Sequence, residues 1–167
     1  VEGFRNAATP QDMLRCLYAL AEFPEQRHVE RAVEFAFSGE VKTQNAPFLV
    51  NRCIANRAHG ATAWKLLRQR WDEANEKFPS NTIVRMVDPV KLLNTDDVAA
   101  DVQSFFSEHP IPQGAKTLDQ ILERYAQLPE WKHLIQTRNP FRRSTTSAST
   151  KSAQSFADIG PAAGALR

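Results

Sequence analysis

Apolar residues recur along this chain at helical spacing almost from its start. The clearest stretch runs from Gly60 to Phe78. There Trp64, Leu67, Trp71, Ala74 and Phe78 fall at i, i+3, i+7, i+10 and i+14, one face of an α-helix. Lys65, Arg68, Asp72, Glu73 and Glu76 take the opposite face. Each large aromatic ring hides roughly 150–250 Å² when covered. At about 25 cal/mol/Å² that favours burial by roughly 4–6 kcal/mol per ring, an upper bound because it assumes an extended unfolded chain. Other helices must therefore cover this stripe, and its first role is core.

The same spacing predicts helices before and after it. Val1 to Ala8 can close an element that starts further upstream. Thr9-Pro10 opens a helix, with Thr9 as N-cap, Pro10 at the first position and Asp12 in the first turn. Met13, Leu14, Leu17, Tyr18 and Ala21 form its apolar face, and Phe23-Pro24 ends it. A second helix from about Glu25 carries Val29, Ala32, Val33, Ala36 and Phe37 and stops at Gly39. Pro47 opens a third, with Phe48, Leu49, Cys53 and Ile54, ahead of an Arg57-Ala58-His59-Gly60 turn. Beyond Pro79, Ser80 or Asn81 is expected to cap a shorter helix that Pro89 bends or divides.

Thr95-Asp96-Asp97 spells the cleanest cap, a hydroxyl followed by two carboxylates at the positive end of the helix dipole. Val98, Val102, Phe105 and Phe106 follow, and His109-Pro110-Ile111-Pro112 halts the run. Thr117 is expected to cap the last long element, with Leu118, Ile121, Leu122 and Tyr125 inward. Pro129 should break it before a short turn with Trp131, Leu134 and Ile135. No segment has the alternation of a strand. Short connections make successive helices antiparallel neighbours, and helix pairs recur at roughly thirty to forty residues, the range of HEAT and armadillo arrays. The expected fold is all-α, an irregular HEAT/armadillo-like α-solenoid of about seven helices over residues 1–137. From Arg138 to Arg167 the chain turns rich in Ser, Thr, Ala and Gly; such a segment hides too little apolar surface to offset its ordering entropy and reads as a disordered tail. Arg142-Arg143-Ser144-Thr145 within it has the basic-Ser/Thr spelling of a phosphorylation site, a string common by chance.

Composition narrows the function classes. The 167 residues carry a formal net charge of +2, with both signs interspersed along the helices, which argues against a nucleic-acid or anionic-membrane surface. No apolar run approaches the length of a membrane span. Cys16 and Cys53 lie far apart in apolar helical patterns and read as buried free thiols. The opening Val1-Glu2-Gly3 has no initiator Met or targeting pattern, so the expectation is a piece of something longer.

Candidate chemistry is sparse. His28, His59, His109 and His133 include no H-E-x-x-H and no i, i+4 pair, and neither cysteine has a C-x-x-C partner. There is no glycine-rich phosphate loop, and no serine sits at a nucleophile elbow. Asp96, Asp97 and Asp101 could suggest a metal site, yet a carboxylate pair in a first turn is explained by capping. Arg52, Arg57, Arg68 and Arg70 surround the third and fourth predicted helices, a solvated face by default and an anion-holding patch at the most. No catalytic, cofactor-binding or metal-ligating residue is assigned.

Four pieces in register carry a resemblance: F-A-F-S-G-E-V-K-T-Q from Phe35 to Gln44, H-G-A-T-A-W from His59 to Trp64 with Trp71 and Phe78, V-Q-S-F-F-S-E-H-P from Val102 to Pro110, and Trp131. From about Thr9 to Thr137 the chain resembles the C-terminal helical domain of gluzincin zinc aminopeptidases, as in the puromycin-sensitive and endoplasmic-reticulum enzymes. The resemblance implies a HEAT-like solenoid that packs across a catalytic domain and closes a cavity over a peptide. Zinc and the catalytic glutamate would belong to that upstream domain of the same polypeptide. In some endoplasmic-reticulum relatives an arginine just after an A-L-x stretch helps to hold the peptide's carboxylate; here Glu22 follows Ala19-Leu20-Ala21. The expected partners are the catalytic domain and peptide substrates, with no nucleic acid and no membrane span, in the cytoplasm. The rival reading is a free-standing helical-repeat scaffold that binds proteins on its concave face.

Overall fold

The computed structural model describes residues 1–111 and 114–138, with side chains through residue 127. Among the described residues it is all-helical, with no strand. The α-helices are α1 (Glu2–Arg5), α2 (Pro10–Ala19), α3 (Gln26–Phe37), α4 (Ala46–Ala55), α5 (Gly60–Gln69), α6 (Trp71–Lys77), α7 (Ser80–Val87), α8 (Asp96–Glu108) and α9 (Ala115–Arg138). A 3-10 helix, Asp88–Leu92, lies between α7 and α8. One compact unit is Val1–Leu128; of the second, from Pro129, the helical assignment of α9 as far as Arg138 is all that is described. None of the described helices is long and apolar enough to cross a membrane.

Local chemistry accounts for most boundaries. The Thr9 hydroxyl oxygen accepts the Asp12 amide at 3.1 Å, and Pro10 occupies the first turn of α2, where its missing N–H is harmless. Gly39 ends the α3 region at φ +87°, the left-handed conformation that glycine adopts without a Cβ penalty. Pro89 sits at the start of the 3-10 helix and is buried.

Several expected boundaries move. The Gly60–Phe78 helix is two helices, divided at Arg70 (φ −117°, ψ 24°). The Arg70 guanidinium turns onto Glu73 at 2.7 Å and lies 4.2 Å over the Phe37 ring. A straight helix drifts by about 20° per seven residues relative to a strict heptad, and the break resets the register so that Phe78 meets Phe37 at 5.0 Å. With the short α1, this raises the helix number above the seven expected. The first predicted helix stops at Ala19, before Phe23-Pro24. Pro79 occupies the N-cap position of α7, so Ser80 and Asn81 lie inside it. Thr95 holds the N-cap position of α8, but its side chain makes no cap hydrogen bond. Thr117 and Pro129 fall within α9, which neither begins nor ends at them. Cys16 is half-buried where burial was expected; Cys53 is fully buried. The side chains of Trp131, Leu134 and Ile135, and the Ser/Thr-rich segment after Arg138 with its Arg142–Thr145 string, lie outside the described residues.

The core is continuous from Leu17 to Tyr125. α4 lies at its centre, against α2, α3, α5, α7 and the 3-10 helix; Leu49, Val50, Cys53 and Ile54 are fully buried on it. The predicted aromatic stripe is covered as its pattern demands: Trp64 is 1% and Trp71 6% exposed. Phe105 and Phe106 of α8 cover them, with ring centroids 5.2–6.0 Å from the two indoles, the range in which edge-on aromatic pairs attract. The Trp64 indole N–H donates to Asp101 of α8 at 3.0 Å, and Arg68 pairs with the same carboxylate. α9 is tied to the 3-10 helix by the Tyr125 hydroxyl on the Val90 carbonyl at 2.5 Å and Arg124 Nε on the Lys91 carbonyl at 2.9 Å.

Candidate functional site

An open groove of about 600 Å³ runs beside α4. Tyr18 of α2 and Glu22 and Pro24 of the α2–α3 connection form one side; Phe48, Asn51, Arg52 and Ala55 of α4, then Asn56, Arg57 and Ala58, form the other. Helical spacing explains the α4 side. Phe48, Asn51, Arg52 and Ala55 follow i, i+3, i+4, i+7, a stripe opposite the buried Leu49, Val50, Cys53 and Ile54.

The groove lining mixes apolar and polar groups, with one carboxylate, Glu22, and two guanidiniums, Arg52 and Arg57. The Arg52 guanidinium lies 4.7 Å over the Tyr18 ring and 3.7 Å from the Glu22 carboxylate. Both charged side chains remain well exposed, so water weakens the pair. Burial pushes the Tyr18 phenol above its ordinary pKa, and the positive charge of Arg52 pulls the other way. The phenol is therefore neutral at physiological pH, a hydrogen-bonding group and not a base. Asn51 Nδ2 donates to the Arg85 carbonyl at 2.6 Å. Arg57 has no ion-pair partner among the described residues. The arrangement offers guanidinium, carboxylate, phenol and amide groups beside the Tyr18 and Phe48 rings, groups able to make ionic contacts and hydrogen bonds. It sets no base beside a nucleophile.

The residues singled out from sequence scatter across the unit. Arg52 and Arg57 share the groove, whereas Arg68 is committed to Asp101 and Arg70 to Glu73; the four make no common anion patch. Arg68 Nε is buried without a hydrogen-bond partner, an omission that costs about 1–3 kcal/mol. Asp101 serves the Trp64–Arg68 latch, apart from any metal role with Asp96 and Asp97. His28 lies 3.9 Å from Glu25, His59 Nε2 bonds the Pro24 carbonyl at 2.8 Å, and His109 stacks on Phe105 at 4.3 Å. The His133 side chain lies outside the described residues. Among the described residues no three His, Cys, Asp or Glu side chains come together to hold a metal ion.

Sequence reading missed Asn56. Its Nδ2 donates to the Ala21 and Phe23 carbonyls at 2.8 and 3.1 Å, and its Oδ1 accepts the Ala58 and His59 amides, both at 3.0 Å. An asparagine just ahead of a tight turn is the local signal for the second pair. The first pair spans more than thirty residues and leaves no mark in the spacing.

Residues 1–127 match the family described as ERAP1-like C-terminal domain. The chain is similar to aminopeptidase M1-A of Oryza sativa subsp. japonica, 28% identical over 129 residues that cover 77% of this chain and 14% of that protein. It is similar as well to aminopeptidase M1-B of the same plant, 26% identical over 136 residues (80% of this chain, 15% of that protein). Aminopeptidase M1 of Arabidopsis thaliana is 27% identical over 134 residues, 79% of this chain and 15% of its own length. The chain thus spans about one seventh of the length of these relatives. With 127 of 167 residues inside the family match, the chain belongs to the ERAP1-like C-terminal domain family of M1 aminopeptidases.

Proposed function

We propose that this chain is the non-catalytic C-terminal domain of a zinc aminopeptidase, which closes over the catalytic domain and helps to enclose and select peptides for removal of their N-terminal residue. The observation that carries the reading is the family match over residues 1–127. In this reading residues 1–137 form one irregular HEAT-like solenoid and residues 138–167 a separate low-complexity tail. Zinc and the hydrolytic groups belong to the catalytic domain, the partner on which this one docks. The groove beside α4 takes the distal part of the peptide, for which its mixed polar lining is suited. Domain closure would exclude water and orient the substrate. The two unpaired thiols favour a cytoplasmic setting, because reducing compartments keep cysteines free.

Two measurements test this. The chain alone, supplied with zinc, is expected neither to bind the metal stoichiometrically nor to cleave aminoacyl-coumarin; doing both would overturn the non-catalytic assignment. The full polypeptide, compared with and without residues 1–137 and with the chain added back, is expected to lose its dependence of KM on peptide length and regain it on addition. The same length profile in all three preparations would overturn the enclosure role.

A further inference from the structure

We infer that Asn56 is a positioning residue: it fixes the wall of the groove formed by the α2–α3 connection and thereby sets how the groove admits a peptide. The connection from Leu20 to Glu25 has no regular structure beyond the end of α2, and Glu22, Phe23, Pro24 and Glu25 are all exposed. Local bonds hold its start to α2, with the Leu20, Ala21 and Glu22 amides on the Leu17, Tyr18 and Ala19 carbonyls, and the Phe23 ring lies against His28. The bonds to its own carbonyls come from more than thirty residues away. The Asn56 amide nitrogen donates to the Ala21 and Phe23 carbonyls, on either side of Glu22, and His59 Nε2 reaches the Pro24 carbonyl. A carbonyl can only accept, so His59 carries its proton on Nε2. The other end of the Asn56 amide accepts from the Ala58 and His59 backbone. A carboxamide has two donor hydrogens and two acceptor lone pairs, and here all four are used. The same bonds settle which end of the amide is nitrogen.

This saturation makes the position chemically narrow. Asparagine alone supplies both donors and both acceptors at this reach. Aspartate keeps the acceptor end but turns a second oxygen toward two carbonyls, and glutamine is longer by one methylene. By holding the two carbonyls that flank Glu22, Asn56 holds the Glu22 carboxylate opposite Arg52 and so sets the charge and width of the groove mouth. The role of the groove in peptide binding rests on the function proposed above; the anchoring of its wall does not.

The test is Asn56→Asp in the full polypeptide, with Asn75→Asp as control, the same exchange at an amide that bonds the Trp71 carbonyl on α6. Expected for Asn56→Asp is amide hydrogen exchange faster by about tenfold or more at the hydrogen-bonded amides of Leu20, Ala21, Glu22 and His28, with α7 and α8 protected as in wild type. The control keeps the wild-type rate at residues 20–28. KM for long peptides should rise severalfold more than KM for aminoacyl-coumarin. Should Asn56→Asp fail to fold, Asn56→Ser keeps a short acceptor for the Ala58 and His59 amides but cannot reach the Ala21 and Phe23 carbonyls, and it is expected to quicken exchange at Leu20, Ala21 and Glu22. Wild-type exchange in the connection, in whichever variant folds, overturns the positioning role. Faster exchange with both KM values moving together leaves Asn56 as the anchor and overturns the peptide-binding role of the groove.

Discussion

Replacing the first glycine of α5 tests the packing logic most sharply, because local propensity and tertiary structure predict opposite signs. Alanine is favoured over glycine in a helix by roughly 0.5–1 kcal/mol, so Gly60→Ala should stabilise an isolated peptide. In the folded chain Gly60 is buried, and an added Cβ would overlap the Ile54 carbonyl oxygen and come within 2.9 Å of Leu93 Cδ2. The leucine methyl can swing away; the Ile54 carbonyl is backbone and cannot. Overpacking of this kind costs about 1–3 kcal/mol. Relief requires opening the turn closed by the Gly60 amide on the Asn56 carbonyl at 2.9 Å, worth about another 1 kcal/mol. Set against the propensity gain, the net loss is about 2 kcal/mol, which lowers Tm by roughly 4–8 °C in a chain of this size. Thermal melting followed by circular dichroism, paired with a urea titration, reads the change. A variant as stable as wild type, or more so, would refute the close approach.

Trp71→Ala removes a ring packed against Phe105 and Phe106 and is expected to cost about 3–5 kcal/mol; a melt indistinguishable from wild type would contradict its place in the core. Burial, then the nearby Glu22 charge, pushes the Cys53 thiol up to about 12, so it stays protonated and unreactive. Alkylation at neutral pH followed by peptide mapping should leave Cys53 unmodified until the chain unfolds. Hydrogen bonds from Arg70 and then Lys77 hold the Glu73 carboxyl below its ordinary value of 4.5. Its folded form binds the proton less readily than its unfolded form. The stabilisation is therefore full above that ordinary value and fades as pH falls through the lower folded value. Acid titrations should show Glu73→Gln losing less stability than wild type over that window, and parallel acid limbs would count against the pairing.

Burial was legible in the sequence wherever periodicity spoke for it. Trp64, Leu67, Trp71, Ala74 and Phe78 all went inside, because a stripe of large rings leaves a helix little choice of face. The break at Arg70 was not legible: a change in one residue's ψ leaves the apolar spacing intact, and the ring that Arg70 lies over, Phe37, is on another helix. Capping spelled by residue type was equally ambiguous. Thr9 and Thr95 have the same side chain and a carboxylate within three residues, yet only Thr9 makes the cap bond. The arginines were visible as a set and misleading as one, since Asp101 and Glu73 draw two of them away from the groove. Asn56 escaped notice because its decisive partners are backbone carbonyls, which no side-chain pattern encodes.

The position of α4 bears on how the chain acquires its shape during synthesis. Its neighbours come from both directions along the polypeptide: α2 and α3 are made before it, whereas α5, α7 and the 3-10 helix are made after. In a simple stack each new unit rests on the one already built, and growth proceeds from one end. Here the central rod waits with an uncovered flank until some forty further residues have left the ribosome, and the earlier and later halves must then set together.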